Sequence, residues 1–293
     1  MRVCGWRSPH EISSTVMQVV WHGLSCDLGI ADPVEWDDSL LRSYDAHIGY
    51  GILRNLDKIF HDCERLGIPY FNIDRGYFSP GHYEGCYRIS YRGTQARWHE
   101  GIPRKPIDIK LEPWRVWDES KPILVCPPTR AVCEFFGQRS WRGWDGLYLP
   151  DNIIVRSKGD RSPIEWDKIS AVITFNSSVG WQALQRGIPV LSDPVHSIVG
   201  SHYAHYGITD MQSLTEKLVK MPDTRMELFE VMAAHQFLLE DIRQGKAWSL
   251  ISHYLESSSA TTVGKPWPPM SAPIPSAGEP KPTLPSSFSS TGN

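Results

Sequence analysis

The sequence predicts an α/β fold in which parallel strands alternate with helices in two successive units, followed by an irregular tail. Three observations predict it. Ala171 to Phe175 is an apolar, β-branched-rich run, followed at once by Asn176-Ser177-Ser178, a short helical stretch and Gly187-Ile188-Pro189-Val190. That order is strand, turn, helix, strand, with strands apolar enough for a parallel sheet covered on both faces. Leu53 to Leu66 places Leu53, Leu56, Ile59, Phe60 and Cys63 on one helical face, and Gly67 stops it before the strand-like Ile68 to Ile73. From Ser257 to Asn293, eight prolines and nine serines fill about half of 37 residues. Such a segment buries too little apolar surface to offset its ordering entropy and is expected to be disordered.

Composition narrows the function classes. The chain has 293 residues, a net charge of -3, 41% hydrophobic and 22% charged residues. That is a globular composition without the global basic excess of a nucleic-acid binder. The six cysteines form no Cys-x-x-Cys pair, and reduced thiols in a cytoplasmic protein are expected. No apolar run approaches the ~18 residues of a membrane span, and the N-terminus lacks a signal-peptide core. The 12 tryptophans suit sugar-stacking surfaces, although cores use the same residue.

In chain order, residues 1 to 16 read as irregular and Met17 to Trp21 as a first strand, with His22 to Ser25 as its exit loop. Asp45 to Ile52 is a second strand-like segment, then come the helix and strand at 53 to 73. Asp74-Arg75 follows that strand directly, and loops at strand carboxyl ends line the binding crevice of open α/β sheets. Asp74 is therefore a candidate general base for a hydroxyl acceptor, with Arg75 steadying it or gripping an anion. His82 is an alternative base, and a plain Asp-Arg turn with an exposed loop histidine is the bland alternative to both. Tyr87 to Tyr91 alternates as a half-exposed strand. Gly101 to Trp114, with three prolines and Arg104, Lys105 and Lys110, reads as an extended passage crossing between the units. Its cations suit the phosphates of a donor or of a nucleic acid, or simply solvent.

Pro122 to Cys126 starts the second unit as a buried strand, and Thr129 is placed to cap the helix beginning near Ala131, with Arg130 beside it. Ile153 to Val155 is a further strand, followed by Lys158. At the 169 to 194 unit, a helix N-terminus at a strand's carboxyl end offers free N–H groups to a phosphate, and Ser177 and Ser178 add hydroxyls. Capping serines are also common with no ligand. His196 and His202 follow in the next loop, and no third ligand at a telling spacing makes them a metal site. Helices are expected over Asp210 to Lys220, Thr224 to Phe237 and Leu238 to Leu255. No Gly-x-Ser-x-Gly elbow supports a serine hydrolase.

The run Phe175-Asn-Ser-Ser-Val-Gly-Trp-Gln-Ala-Leu-Gln-Arg-Gly-Ile-Pro-Val190 resembles the donor-binding segment of capsule polysaccharide biosynthesis proteins of the Kdo-transferase type. It is also similar to that of bacterial sialyltransferases. The resemblance spans roughly 60 residues of the C-terminal half. It implies a GT-B fold, with two Rossmann-like domains and a nucleotide-sugar in the cleft between them. On that basis the expected division is 1–115 (acceptor side), 116–256 (donor side) and 257–293 (tail). The expected donor contacts are Thr129, Arg130, Lys158, Asn176, Ser177, Ser178 and His196. These families carry a Lys-x-His-Pro segment where this chain has Lys158-Gly159-Asp160. The lysine fits and the His-Pro is absent, which leaves the nucleotide (CMP, UDP or GDP) open. No bound cofactor and no metal are expected. The acceptor is a hydroxyl, on a saccharide or on a modified nucleic-acid base as in phage DNA glucosyltransferases. The alternatives are a non-catalytic nucleotide- or sugar-binding module on a degenerate transferase fold, or an assembly protein acting through its tail.

Overall fold

Two separate sheets, each built on the same strand order, divide the chain. The computed structural model describes residues 2–8, 10–24, 27–31, 36–78, 85–137, 152–218 and 220–260. The first sheet uses β1 (Arg2–Trp6), β2 (Asp27–Ala31), β3 (Ala46–Tyr50), β4 (Tyr70–Arg75) and β5 (Cys86–Tyr91). Helices α1 (Glu11–Gly23), α2 (Asp38–Arg42) and α3 (Leu56–Leu66) connect them. The second sheet uses β6 (Ile123–Cys126), β7 (Ile153–Val155), β8 (Ala171–Thr174) and β9 (Val190–Ser192). Its helices are α4 (Arg130–Phe135), α5 (Val179–Gln185), α6 (Ile198–His205), α7 (Met211–Lys217) and α8 (Arg225–Ala234). The chain then forms β10 (Gln236–Leu238), α9 (Leu239–Arg243) and α10 (Trp248–Ala260).

The strands run β10-β5-β4-β3-β1-β2 in the first sheet and β7-β6-β8-β9 in the second. β2-β1-β3-β4 and β7-β6-β8-β9 are parallel throughout, and β5 joins β4 antiparallel. Both parallel sets therefore reverse direction of winding beside their first strand, the switch point at which doubly wound sheets open a crevice. This is the two-unit α/β arrangement that the sequence predicts.

The second unit follows the sequence closely. β8 is buried at every position, α5 begins and ends where the pattern places it, and Gly187 takes φ +68° after it. A Cβ at Gly187 would also stand 1.9 Å from the Pro113 carbonyl oxygen. Gly187→Ala is therefore expected to lose at least about 2 kcal/mol of stability, from positive-φ strain and displacement of the 112–115 strap, measured by urea unfolding.

The N-terminal reading needs correction. Met17 to Trp21 lies inside α1, not in a strand, and β1 occupies part of the stretch that reads as irregular. Val16, Met17, Val19 and Val20 are buried against the sheet in a helix, so packing overrides their β preference. Gly101 to Trp114 has no helix or strand, as expected, but it lies on the second unit. Lys105 N donates to Glu230 O (3.0 Å), Glu112 N to Gln185 O (2.9 Å) and Arg115 N to Gly187 O (2.8 Å). The chain changes sheets earlier, over residues 92–98.

It also changes back. β10 pairs antiparallel with β5, and Ile242, Ala247, Leu250, Ile251 and Tyr254 belong to the core between α1 and the first sheet. The sequence reading gives all of 116–256 to the second unit, whereas 236–255 packs on the first. α10 continues to Ala260, past the expected start of the tail at 257, and residues 261–293 lie outside the described residues. Among the described residues no helix is long and apolar enough to cross a membrane.

Candidate active site

The turns that leave the carboxyl ends of β1, β3 and β4 face those that leave β6, β7 and β8 across one cleft of about 1000 Å³. Every parallel strand next to a switch point contributes a turn to it. The second-sheet wall carries Thr129, Lys158, Asn176, Ser177 and Ser178, and the first-sheet wall carries Asp74 and Arg75. Seven of the ten residues singled out in the sequence therefore meet in one place.

The two serines differ. Ser177 N donates to Thr174 Oγ1 (3.0 Å), and Ser177 Oγ accepts from Val179 N (3.3 Å), so this residue braces the turn. Ser178 makes no side-chain cap bond and stands exposed at the cleft. Lys158 is likewise exposed, and no described carboxylate pairs with it. Its neighbour Arg156 is committed, donating to Asp160 O (2.8 Å) and Ser162 O (2.7 Å). Thr129 caps α4 only weakly, accepting from Val132 N at 3.4 Å. Asn176 is spent on structure: its Nδ2 donates to Thr94 Oγ1 (3.1 Å), and its carbonyl accepts from Gln95 Nε2 (2.7 Å).

On the opposite wall, Asp74 Oδ1 accepts from Arg75 N (2.8 Å) and Asp74 Oδ2 from Arg88 NH2 (2.7 Å). Its side chain remains 36% exposed on the cleft wall, and each oxygen has a lone pair that these two bonds do not use. Tyr50 stands beside it, and burial together with the Asp74 charge pushes its hydroxyl above the ordinary tyrosine range.

Two expected contacts are not on the cleft. Arg130 points to solvent, 91% exposed, and donates to Glu134 Oε1 at 2.6 Å, because α4 turns that face outward. His196 is 2% exposed behind the turn, where its Nδ1 meets Asp193 Oδ1 at 2.9 Å and its ring lies against Phe136 and Phe175. His82 lies outside the described residues. In the basic passage, Arg104 pairs with Glu227 (3.4 Å) and lies over the Trp98 ring (5.1 Å). Among the described residues no group of three or more His, Cys, Asp or Glu is placed to hold a metal ion.

Sequence reasoning missed His10, Tyr50, Arg88 and Thr94, all on the cleft wall. His10 precedes α1, and among the described residues neither ring nitrogen has a hydrogen-bond partner, with Nδ1 buried. The sequence hides it, because β1 and the start of α1 fall in a stretch that reads as irregular. Arg88 had a signal, since a lone cation inside the strand Tyr-Arg-Ile-Ser-Tyr implies a partner on the neighbouring strand.

Comparison with known proteins gives distant likenesses. The chain is similar to two solved structures from Thermosulfurimonas dismutans. One is KpsC, beta Kdo 2,7 transferase, at 11% identity and a TM-score of 0.44, with 84% of this chain and 98% of that one covered. The other is KpsC, beta Kdo 2,4 transferase, at 12% identity and a TM-score of 0.42, with 86% and 97% covered. No protein-family model matches the chain. No curated protein sequence matches it.

Proposed function

We propose that the protein is a glycosyltransferase of the GT-B kind, moving a sugar from a nucleotide-sugar to a hydroxyl acceptor, with a saccharide as the acceptor class. The observation that carries this reading is the cleft itself. It sets an unpaired lysine and an uncommitted serine hydroxyl on one wall against a carboxylate with free lone pairs on the other. Lys158, Ser178 and Thr129 hold the donor phosphate. Asp74 accepts the acceptor's hydroxyl proton as that oxygen bonds to the sugar's anomeric carbon. The bond from that carbon to the phosphate oxygen breaks, and its electron pair stays on the phosphate. Attack from the face opposite the leaving group inverts the anomeric centre. Fixed positive groups at the leaving phosphate supply much of the acceleration.

The Arg88–Asp74 ion pair at 2.7 Å favours one second reading, a nucleotide- or sugar-binding module without turnover. Thermal shift with CMP, UDP, GDP and their sugars tests both. A ligand at about 100 times its dissociation constant adds about 2.7 kcal/mol, which raises Tm by roughly 5 °C in a chain of this size. Wild type is expected to show this with one nucleotide, and Ser177→Ala/Ser178→Ala to lose most of it. Binding without release of nucleotide from its sugar selects the second reading. No shift with any nucleotide overturns both.

A further inference from the structure

We propose that Arg88, Thr94 and Gln95 form a clasp that registers the donor turn against the acceptor-side carboxylate, so that the two walls of the cleft are set by one hydrogen-bonded chain. This assignment rests on the transferase reading for what stands at each end; the clasp residues belong to neither end.

The chain can be followed atom by atom. Arg88 NH2 donates to Asp74 Oδ2 (2.7 Å), Arg88 NH1 to Arg75 O (2.7 Å) and Arg88 Nε to Thr94 O (2.8 Å). All three guanidinium nitrogens are engaged and the side chain is only 12% exposed, so Arg88 is a positioning residue and not a phosphate ligand. Thr94 passes the connection on, its Oγ1 accepting from Asn176 Nδ2 (3.1 Å). Gln95 then grips the same turn from the other side. Its Nε2 donates to Asn176 O (2.7 Å), and its Oε1 accepts from Ile198 N at the start of α6 (3.0 Å). Thr94 is 5% and Gln95 2% exposed.

Location gives these bonds their meaning. Residues 92–98 are where the chain first passes from one sheet to the other. Apolar side chains there would hold the sheets together equally well by area, but without direction. A buried amide whose two ends meet a backbone carbonyl and a backbone N–H tolerates little displacement, because a moved partner leaves a buried polar atom unpaired. Asn176 directly precedes Ser177 and Ser178, so any rotation between the sheets that frees it also moves the donor turn. The guanidinium fork carries the same constraint to Asp74.

The test measures nucleotide affinity by calorimetry on the full-length chain, using whichever of CMP, UDP or GDP binds wild type. Thr94→Val replaces the hydroxyl with a methyl, which removes the acceptor for Asn176 Nδ2, and is expected to weaken binding about tenfold. Thr94→Ser keeps that acceptor and should stay within twofold of wild type. Arg88→Met touches no residue of the donor turn, yet should weaken binding about threefold or more. The double variant should be no weaker than the worse single one, since both cut one chain. Arg88→Lys keeps the charge, cannot make the three-way fork, and should fall between; it serves if Arg88→Met unfolds. A Thr94→Val protein with lower Tm and unchanged affinity shows a merely structural contact and overturns the clasp. So do additive effects at Arg88 and Thr94. In both cases the transferase reading survives. If wild type binds no nucleotide, that reading fails and the clasp loses its donor end with it.

Discussion

Replacing Asp74 with asparagine lowers turnover of the nucleotide-sugar by about 10²- to 10⁴-fold, the range a positioned general base contributes. The substitution is close to isosteric, and its one amide oxygen can still accept from either Arg88 NH2 or Arg75 N, so one of the two bonds that hold the carboxylate is kept. What it removes is the ability to accept a proton at the cleft. Nucleotide affinity should therefore change less than threefold, giving a loss in kcat with a nearly constant dissociation constant. His10 is the control. It faces the same cleft with both ring nitrogens free of described partners, and His10→Gln should lower turnover less than tenfold. Steady-state release of nucleotide, measured on both variants, separates them: a large loss at His10 with a small one at Asp74 transfers the base role to the imidazole.

Acid is expected to destabilise this protein as pH falls below 6.5, above the range where ordinary carboxylates titrate. Three buried histidines are held neutral: burial lowers His47 and His235 to about 4 and His202 to about 3, from an ordinary 6.5. Their surroundings agree. Trp6 Nε1 donates to His47 Nδ1 (3.0 Å), so Nε2–H must donate to Leu41 O (3.0 Å), and a proton on Nδ1 would face an N–H. His202 is flanked by His205 and Arg104, His235 by His99 and His253, all of which oppose further positive charge. A histidine whose folded value is depressed contributes its full stability above the unfolded value of 6.5. That contribution is lost as pH falls from 6.5 toward the folded values, because only the unfolded chain takes up the proton. At pH 5 each costs about 2 kcal/mol, and three cost about 6, comparable with the whole stability of an ordinary domain. Urea unfolding at pH 7 and pH 5 should show that difference, with a slope of up to three protons. The salt-bridged Asp223 and Asp241 are lowered below 3.8, so they act only in stronger acid. A stability unchanged between pH 7 and 5 would show that these histidines are not buried neutral.

What the sequence made legible follows from where information is local. The unit from Ala171 to Val190 could be read because its strands are continuous apolar runs and Gly187 marks the helix end. Met17-Gln-Val-Val-Trp21 misled because β-branched residues favour strands, while α1 is held helical by the sheet beneath it, which is a tertiary effect. β10 had no chance of being read. Three residues between two helices become a strand only because the edge of β5 offers partners about 150 positions away in the chain. The site shows the same division. Asp74 stands at the end of a recognisable strand, Lys158 and the serines each follow one, and strand ends are where α/β chemistry gathers. Arg130 looked suitable by type, but which way α4 rotates is settled by packing. The clasp was invisible, because Thr94 and Gln95 acquire their meaning from Asn176 across the cleft.

The return of the chain at β10 has a mechanical consequence. A body joined by one tether can swing in any direction, but one joined by two turns only about the line through both. Here the tethers are residues 92–98 and the step at His235, whose carbonyl accepts from Ile89 N (2.9 Å). The two halves are thus joined by two backbone crossings rather than one, and a cut in either crossing would leave them joined through the other.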